Sequence, residues 1–349
     1  MHKTLITYTI LVLAACSLLP ACKEAVPRQI KPAFYYWRSE FRLQASEKKY
    51  LSGAASPDLY IRFFDVVWDP QTAQPVPAAP LHFAEQPDST LTYVPVVFIT
   101  NETLQHCSLQ QMSSLSAHIL EKVKSLSGSF AHGYTQLQVD CDWTVSTREK
   151  YFLLLQLLGR QLHPAGIRLS ATLRLHQVKY AGKTGVPPAD RCMLMFYNMG
   201  DWQNPQVPNS MYDLQIAGKY LSRIKSYPLP LDVALPLLRW TIVYRQGRFL
   251  TFLNYIAADE LDHCDFLEKL PDDNRFIVKK DTLALGCAFR KNDVLRSETC
   301  DTKALLEGKE QLLRRIRNTG LTLALFHLDQ QLLNHYTDAQ IQKLFSPLP

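Results

Sequence analysis

The 349-residue sequence has no internal repeat, no low-complexity tract and no charge imbalance large enough to dominate its chemistry. The formal charge is +6, with acids and bases interspersed. The densest basic run, Arg314-Arg315-Ile316-Arg317, follows Leu312 and Leu313 in a helical pattern. It reads as a solvated helix face, so nucleic acid is not an expected partner. Zinc-type spacings are missing too: there is no Cys-x-x-Cys, His-x-His or His-x-x-x-His. Asp140, Asp142 and His176 are the one set that would meet on a cation in a barrel. Without supporting spacing, neither a metal nor another cofactor is expected. What remains is an ordinary globular composition, 47% hydrophobic and 20% charged, enough for one large barrel or two modest domains.

Long apolar runs are scarce outside the N-terminus. Met1-His2-Lys3 precedes an apolar run from Leu5 through Ala15, too short and wrongly flanked for a stable membrane span, and the pattern reads as an export signal. Leu13-Ala14-Ala15-Cys16 and Leu19-Pro20-Ala21-Cys22 both resemble the bacterial lipobox, in which the cysteine is acylated and becomes the mature N-terminus. Cys22 is favoured because polar Lys23-Glu24 follow it; Cys16 is the alternative, and a plain secreted protein is the third reading. The expected organisation is therefore a lipoprotein signal peptide over 1–21, a linker over 22–32 and a domain over 33–349. The expected location is the bacterial cell envelope, with the chain anchored to a membrane by lipid rather than spanning it. Export permits disulfides, and among the six remaining cysteines Cys264, Cys287 and Cys300 are close enough in sequence to be the expected pairing set.

Strand-like and helical segments alternate. Strands are expected at 33–37, 59–67, 94–100, 136–142, 167–175, 192–197, 231–235 and 321–326, with amphipathic helices over 108–125, 147–162, 211–224 and 303–317. Eight alternating units predict parallel pairing and an α/β fold, a (β/α)8 TIM-type barrel. Two stretches break the rhythm. Residues 68–90, with five prolines, predict a long loop. Residues of about 240–298 predict an inserted hairpin or small sheet between strands seven and eight.

The segment Leu137-Gln138-Val139-Asp140-Cys141-Asp142-Trp143-Thr144 carries the most chemistry. Residues two apart on a strand share a face, so Asp140 and Asp142 point inward together if Val139 and Cys141 pack outward. Buried carboxylates are costly unless paired or used. A salt-bridged pair in a polar barrel interior and a ligand site both satisfy that condition. The segment resembles the Asp-x-x-Asp-x-Asp-x-Glu signature of chitinase-like glycoside hydrolases, whose four acids align with Leu137, Asp140, Asp142 and Thr144. Met195-Phe196-Tyr197-Asn198 resembles the same family's Met-x-Tyr-Asp at the sixth strand. The resemblance implies a barrel, with Asp142 and Tyr197 at the sugar's acetamido group. Thr144 stands where the family has its proton-donating Glu, and Asn198 where it has Asp. More broadly, the chain looks like uncharacterised bacterial lipoproteins predicted to form such barrels.

Barrel sites sit at the C-terminal strand ends. The candidate catalytic residues are Asp142 and Asp140, with Glu102 as a further carboxylate. The candidate ligand contacts are Asp65, Arg174, His176, Tyr197, Asn198, Arg239, Trp240 and His327, and Trp143 and Trp202 are further stacking faces. Each histidine also reads as a structural one, and Arg239 as a partner of interior acids. Three functions follow: a divergent glycoside hydrolase with an atypical acid pair, a barrel that binds a glycan or oligosaccharide without turnover, and a structural or assembly lipoprotein with a polar interior. Oligomeric state is not set by the sequence.

Overall fold

The structure is a computed structural model that describes residues 28–53, 57–271 and 274–348. The signal and lipobox expectations, Cys16 and Cys22 included, lie outside the described residues.

Eight parallel strands close into a barrel. They are β1 (Gln29–Tyr36), β2 (Asp58–Asp69), β4 (Thr92–Ile99), β5 (Gln136–Asp140), β6 (Arg168–Arg174), β7 (Arg191–Met195), β8 (Leu231–Pro236) and β14 (Gly320–Phe326). Closure comes from β1, which pairs with β14 on one side and β2 on the other. The fold is thus the (β/α)8 barrel that the alternation of the sequence predicts.

Alternation along each strand separates two cores. On β5, Leu137 and Val139 join the outer layer between strands and helices, while Gln136, Gln138 and Asp140 point inward. On β7, Leu194 packs outward and Met193 and Met195 inward. The interior is mixed. Tyr35, Tyr60, Val94, Val96 and Met193 supply apolar volume. Between them the Tyr35 hydroxyl donates to Gln138 Oε1 at 2.6 Å and Gln136 Nε2 donates to Tyr60 Oη and Ser170 Oγ, each at 3.1 Å. These pairs satisfy polar atoms that would otherwise be stranded in the barrel.

The longer outer helices are α1 (Ala45–Gly53), α2 (Asn101–His106), α3 (Gln111–Ser127), α4 (Arg148–Leu162), α5 (Thr302–Leu313) and α6 (Asp338–Phe345). The single helix expected over 211–224 is instead a five-residue turn, Leu214–Gly218, and a 3-10 segment, Leu221–Ser226. Asn209 Oδ1 accepts from the amides of Met211 and Tyr212 at 2.9 and 3.0 Å, which delays the helix start to the Asp213 cap, and the α-turn ends at Gly218.

The proline-rich stretch after β2 is also ordered. β3 (Gln74–Ala78) pairs antiparallel with the end of β2, from Asp65↔Ala78 to Asp69↔Gln74. Pro75 and Pro77 sit on this edge strand, where a missing N–H costs little, so the first half of the expected loop is a hairpin.

Between β8 and β14 lies a separate antiparallel sheet of β9 (Arg239–Arg245), β10 (Arg248–Asn254), β11 (Leu267–Lys269), β12 (Arg275–Val278) and β13 (Val294–Thr299), in the order β10-β9-β13-β12-β11. It has its own core, including Val243, Phe266, Phe276 and Leu295. Cys264, Cys287 and Cys300 form no disulfide; all six described cysteines are free thiols, and Cys300 lies instead against the Met211 sulfur at 3.1 Å. Among the described residues no helix is long and apolar enough to cross a membrane.

Gly308 on α5 lets Tyr212 and Phe196 come close against the helix. A Cβ there would collide with the Tyr212 hydroxyl and lie 2.9 Å from Phe196 Cε1. Gly308→Ala is expected to destabilise the fold by about 1–3 kcal/mol, seen as a lowered Tm in thermal denaturation.

Candidate functional site

A cavity of about 450 Å³ opens at the C-terminal ends of the barrel strands. Asp140 sits at its floor, held by the inward phase of β5. Thr172 Oγ1, from the neighbouring β6, donates to Asp140 Oδ1 at 2.6 Å. Burial pushes this carboxyl up to about 6; the Arg174 charge opposes the shift, and the charges of Asp142 and Asp65 add to it.

Asp142 lies just past the strand and is about half exposed. Arg174, at the end of β6, grips it side-on: Nε donates to Oδ1 at 2.6 Å and Nη2 to Oδ2 at 3.1 Å. The same guanidinium lies 5.8 Å from the Tyr197 ring centroid. Asp65 is likewise paired, with Arg62 Nε at 2.8 Å and Nη2 at 2.6 Å. Both outer carboxylates are therefore held by guanidinium forks, and Asp140 alone lacks a direct cationic partner among them.

Aromatic faces make the walls. Tyr197 stacks on Phe326 with centroids 5.3 Å apart, and Trp37 lies 5.7 Å from Phe326. Trp240 and Tyr255 close the side toward the inserted sheet. Trp240 is set by buried Glu298, whose Oε2 accepts the indole N–H at 2.9 Å; its Oε1 accepts from Ser210 N at 2.8 Å and Arg296 Nε at 2.8 Å. His327 is buried at the cavity edge, with Nδ1 unpartnered among the described residues. Burial, with Arg38 adding, lowers its pKa to about 4 against the pull of Asp329, so the ring is neutral near pH 7.

A second hollow of about 440 Å³ shares Asp142, Arg174, Tyr197 and Asn198 with the first and extends to His176, Trp202 and Tyr220. Asn198 reaches both through a left-handed backbone (φ 53°), a conformation asparagine tolerates.

The structure thus gathers Asp65, Asp140, Asp142, Arg174, Tyr197, Asn198, Arg239, Trp240 and His327 around one cavity, with exposed His176 in the adjoining hollow. Glu102 is not brought there. It occupies the exposed first turn of α2, behind the Thr100 cap, where a carboxylate favours the helix dipole. Trp143 is not a stacking face either. It is buried against Tyr151 at 5.0 Å and donates its indole N–H to Thr184 O. Arg239 lines the cavity but its guanidinium is engaged by Asp259, His335 and Glu260, tying the inserted sheet to the turn at Ala258–Leu261. Trp37, Tyr255 and Phe326 join the lining beyond the residues expected from sequence; each is an aromatic at or beside a strand end. Among the described residues no group of His, Cys, Asp and Glu is placed to hold a metal ion.

Thr144, which the resemblance aligns with the family's acid, is exposed and does not line the cavity. Its hydroxyl meets Ser146 Oγ at 2.8 Å, and its amide donates to Thr147 Oγ1 at 2.9 Å in the loop that starts α4.

Asp140→Asn keeps an acceptor for Thr172 but removes the titration. Because the folded pKa (about 6) lies above the unfolded value, ionising Asp140 weakens the fold as pH rises from about 4 to about 6. The variant is expected to gain stability over the parent across that window, by at most roughly 3 kcal/mol above pH 6. Denaturant unfolding at pH 4 and pH 7.5 measures it.

No family model matches the chain, and no curated protein matches it. Solved structures do. The spore cortex-lytic enzyme SleL of Bacillus megaterium superposes with a TM-score of 0.57 at 14% identity, over 92% of this chain and 75% of that one. A chitinase of Chromobacterium violaceum gives 0.54 at 12% identity, over 90% and 98%. The GH18 chitinase ChiB of Flavobacterium johnsoniae gives 0.50 at 11%, over 91% and 93%. The fold is therefore that of the chitinase-like glycoside hydrolase barrels.

Proposed function

We propose that the protein is a lipid-anchored glycan-binding protein of the bacterial cell envelope, with the barrel mouth as its sugar site. The observation that supports this best is the meeting, in one cavity, of aromatic faces from Trp37, Tyr197 and Trp240 with the Asp142–Arg174 pair. Aromatic rings offer the apolar face of a sugar a flat partner, and a few convergent polar groups orient its hydroxyls. The anchor is supported by the two lipobox-like cysteines. Thr144, which the resemblance aligns with the family's proton-donating Glu, carries no acid and lies outside the cavity, which supports binding over turnover.

A second reading, slow hydrolysis, is favoured by one observation. Asp140 has a pKa near 6, suited to donating a proton near neutral pH.

The test uses the chain from Lys23 onward, which retains every described residue, and titrates it with amino-sugar oligosaccharides by calorimetry while monitoring product release. Binding without release is the expected result. Tyr197→Ala and Trp37→Ala are each expected to weaken affinity about tenfold or more, since buried aromatic anchors dominate such sites. Release abolished by Asp140→Asn would replace binding with hydrolysis. Absence of any glycan binding by the folded chain would sink both readings.

A further inference from the structure

A cavity of about 990 Å³ lies at the opposite end of the barrel, where the strands begin. Lys31, Lys49, Arg168 and Arg191 line it, against the carboxylates Asp58 and Asp338. Lys31 pairs with Asp58 at 2.7 Å, Lys49 with Asp338 at 2.5 Å and Arg191 with Asp232 at 2.5 Å, which leaves exposed Arg168 in excess.

The rim has the same sign. Helices of a (β/α)8 barrel run back against the strands, so their C-terminal ends share this face. Lys124 and Arg160 stand exposed in the last turns of α3 and α4, and Lys343 in the last turn of α6. Arg223 and Lys225 end the 3-10 segment, and Arg317 follows α5; all three are exposed. Part of this placement complements helix dipoles. Asp88 and Asp190 offset some of the charge, and Glu310 is taken by Arg314.

The chain also enters the barrel here. The Arg28 guanidinium donates to Ile316 O at 2.7 Å and to Leu313 O, pinning the entry point beside the Arg314–Arg317 run. Six residues separate Cys22 from Gln29. At full extension that span reaches about 25 Å, so a lipid on Cys22 would hold this face near the bilayer and point the sugar cavity away from it.

We propose that this basic face docks on a membrane surface rich in anionic phospholipid headgroups, with a headgroup phosphate at Arg168 in the cavity. The proposal rests on the anchored reading above and adds the orientation of the barrel. Attraction to anionic lipid amounts to roughly fivefold per basic residue near the surface and is screened by salt.

The chain from Lys23 onward, without lipid, is sedimented with phosphatidylglycerol-containing vesicles and with pure phosphatidylcholine vesicles. Binding is expected to the former alone and to fall with added salt. The triple variant Arg160→Glu, Lys225→Glu, Arg317→Glu is expected to bind about a hundredfold more weakly, whereas Lys183→Glu, in the turn after β6 at the other end of the barrel, leaves binding unchanged. All are surface positions, and circular dichroism checks the fold. Equal binding to neutral vesicles, wild-type binding by the triple variant, or tighter binding to duplex DNA than to the vesicles overturns the proposal. Palmitate labelling of Cys22→Ser and Cys16→Ser chains in cells reports on the anchor separately, so loss of the tether and loss of the surface are told apart.

Discussion

In a parallel strand closed into a barrel, every second side chain must enter the interior, and the mouth of this protein depends on that constraint. The phase of β5 sends Gln136, Gln138 and Asp140 inward in succession. The first two are satisfied by Tyr35, Tyr60 and Ser170. Asp140, one step higher, has Thr172 and a cavity. A slip by one residue would bury Leu137 and Val139 inside and turn the carboxylate onto the helices. The position of Asp140, its raised pKa and the convergence of Asp65, Asp142 and Arg174 around it are consequences of one register.

The inserted sheet supplies what eight strands alone do not, a wall above the mouth. Glu298 is the joint. It accepts from the Ser210 amide and hydroxyl on the barrel side and from Arg296 and Trp240 on the sheet side. Four donors on one buried carboxylate make its charge tolerable and fix the indole over the cavity. Trp240 is thus placed by a residue nearly sixty positions later, through a contact that no local pattern announces.

This explains what was legible in the sequence and what was not. The eight strands could be read because each carries a compact apolar signal bounded by turns, and parallel barrels need no knowledge of register to be recognised. Asp140 was visible for the same reason, since period two is local; the strand expected to run to 142 ends at Asp140, and Asp142 beyond it is held at the cavity by Arg174. Glu102 failed because a strand end and a helix start look alike when only one residue separates them; Ile99 ends β4 and Asn101 already begins α2. Trp143 failed because its direction is decided by α4, whose Tyr151 and Phe152 pack against it. The commitment of Arg239 to Asp259 and Glu260, some twenty residues on, and of Pro75 and Pro77 to an edge strand are likewise tertiary facts.

The barrel mouth, between the aromatic walls and the Asp142–Arg174 pair, is the proposed seat of the sugar. A crystal of the chain from Lys23 onward, soaked with an amino-sugar oligosaccharide, is the decisive measurement. The expected result is a sugar ring against Tyr197 and Trp37 with a hydroxyl or acetamido group on Asp142. A ring bound elsewhere on the barrel, or a mouth left empty at a saturating concentration, would rule the sugar site out.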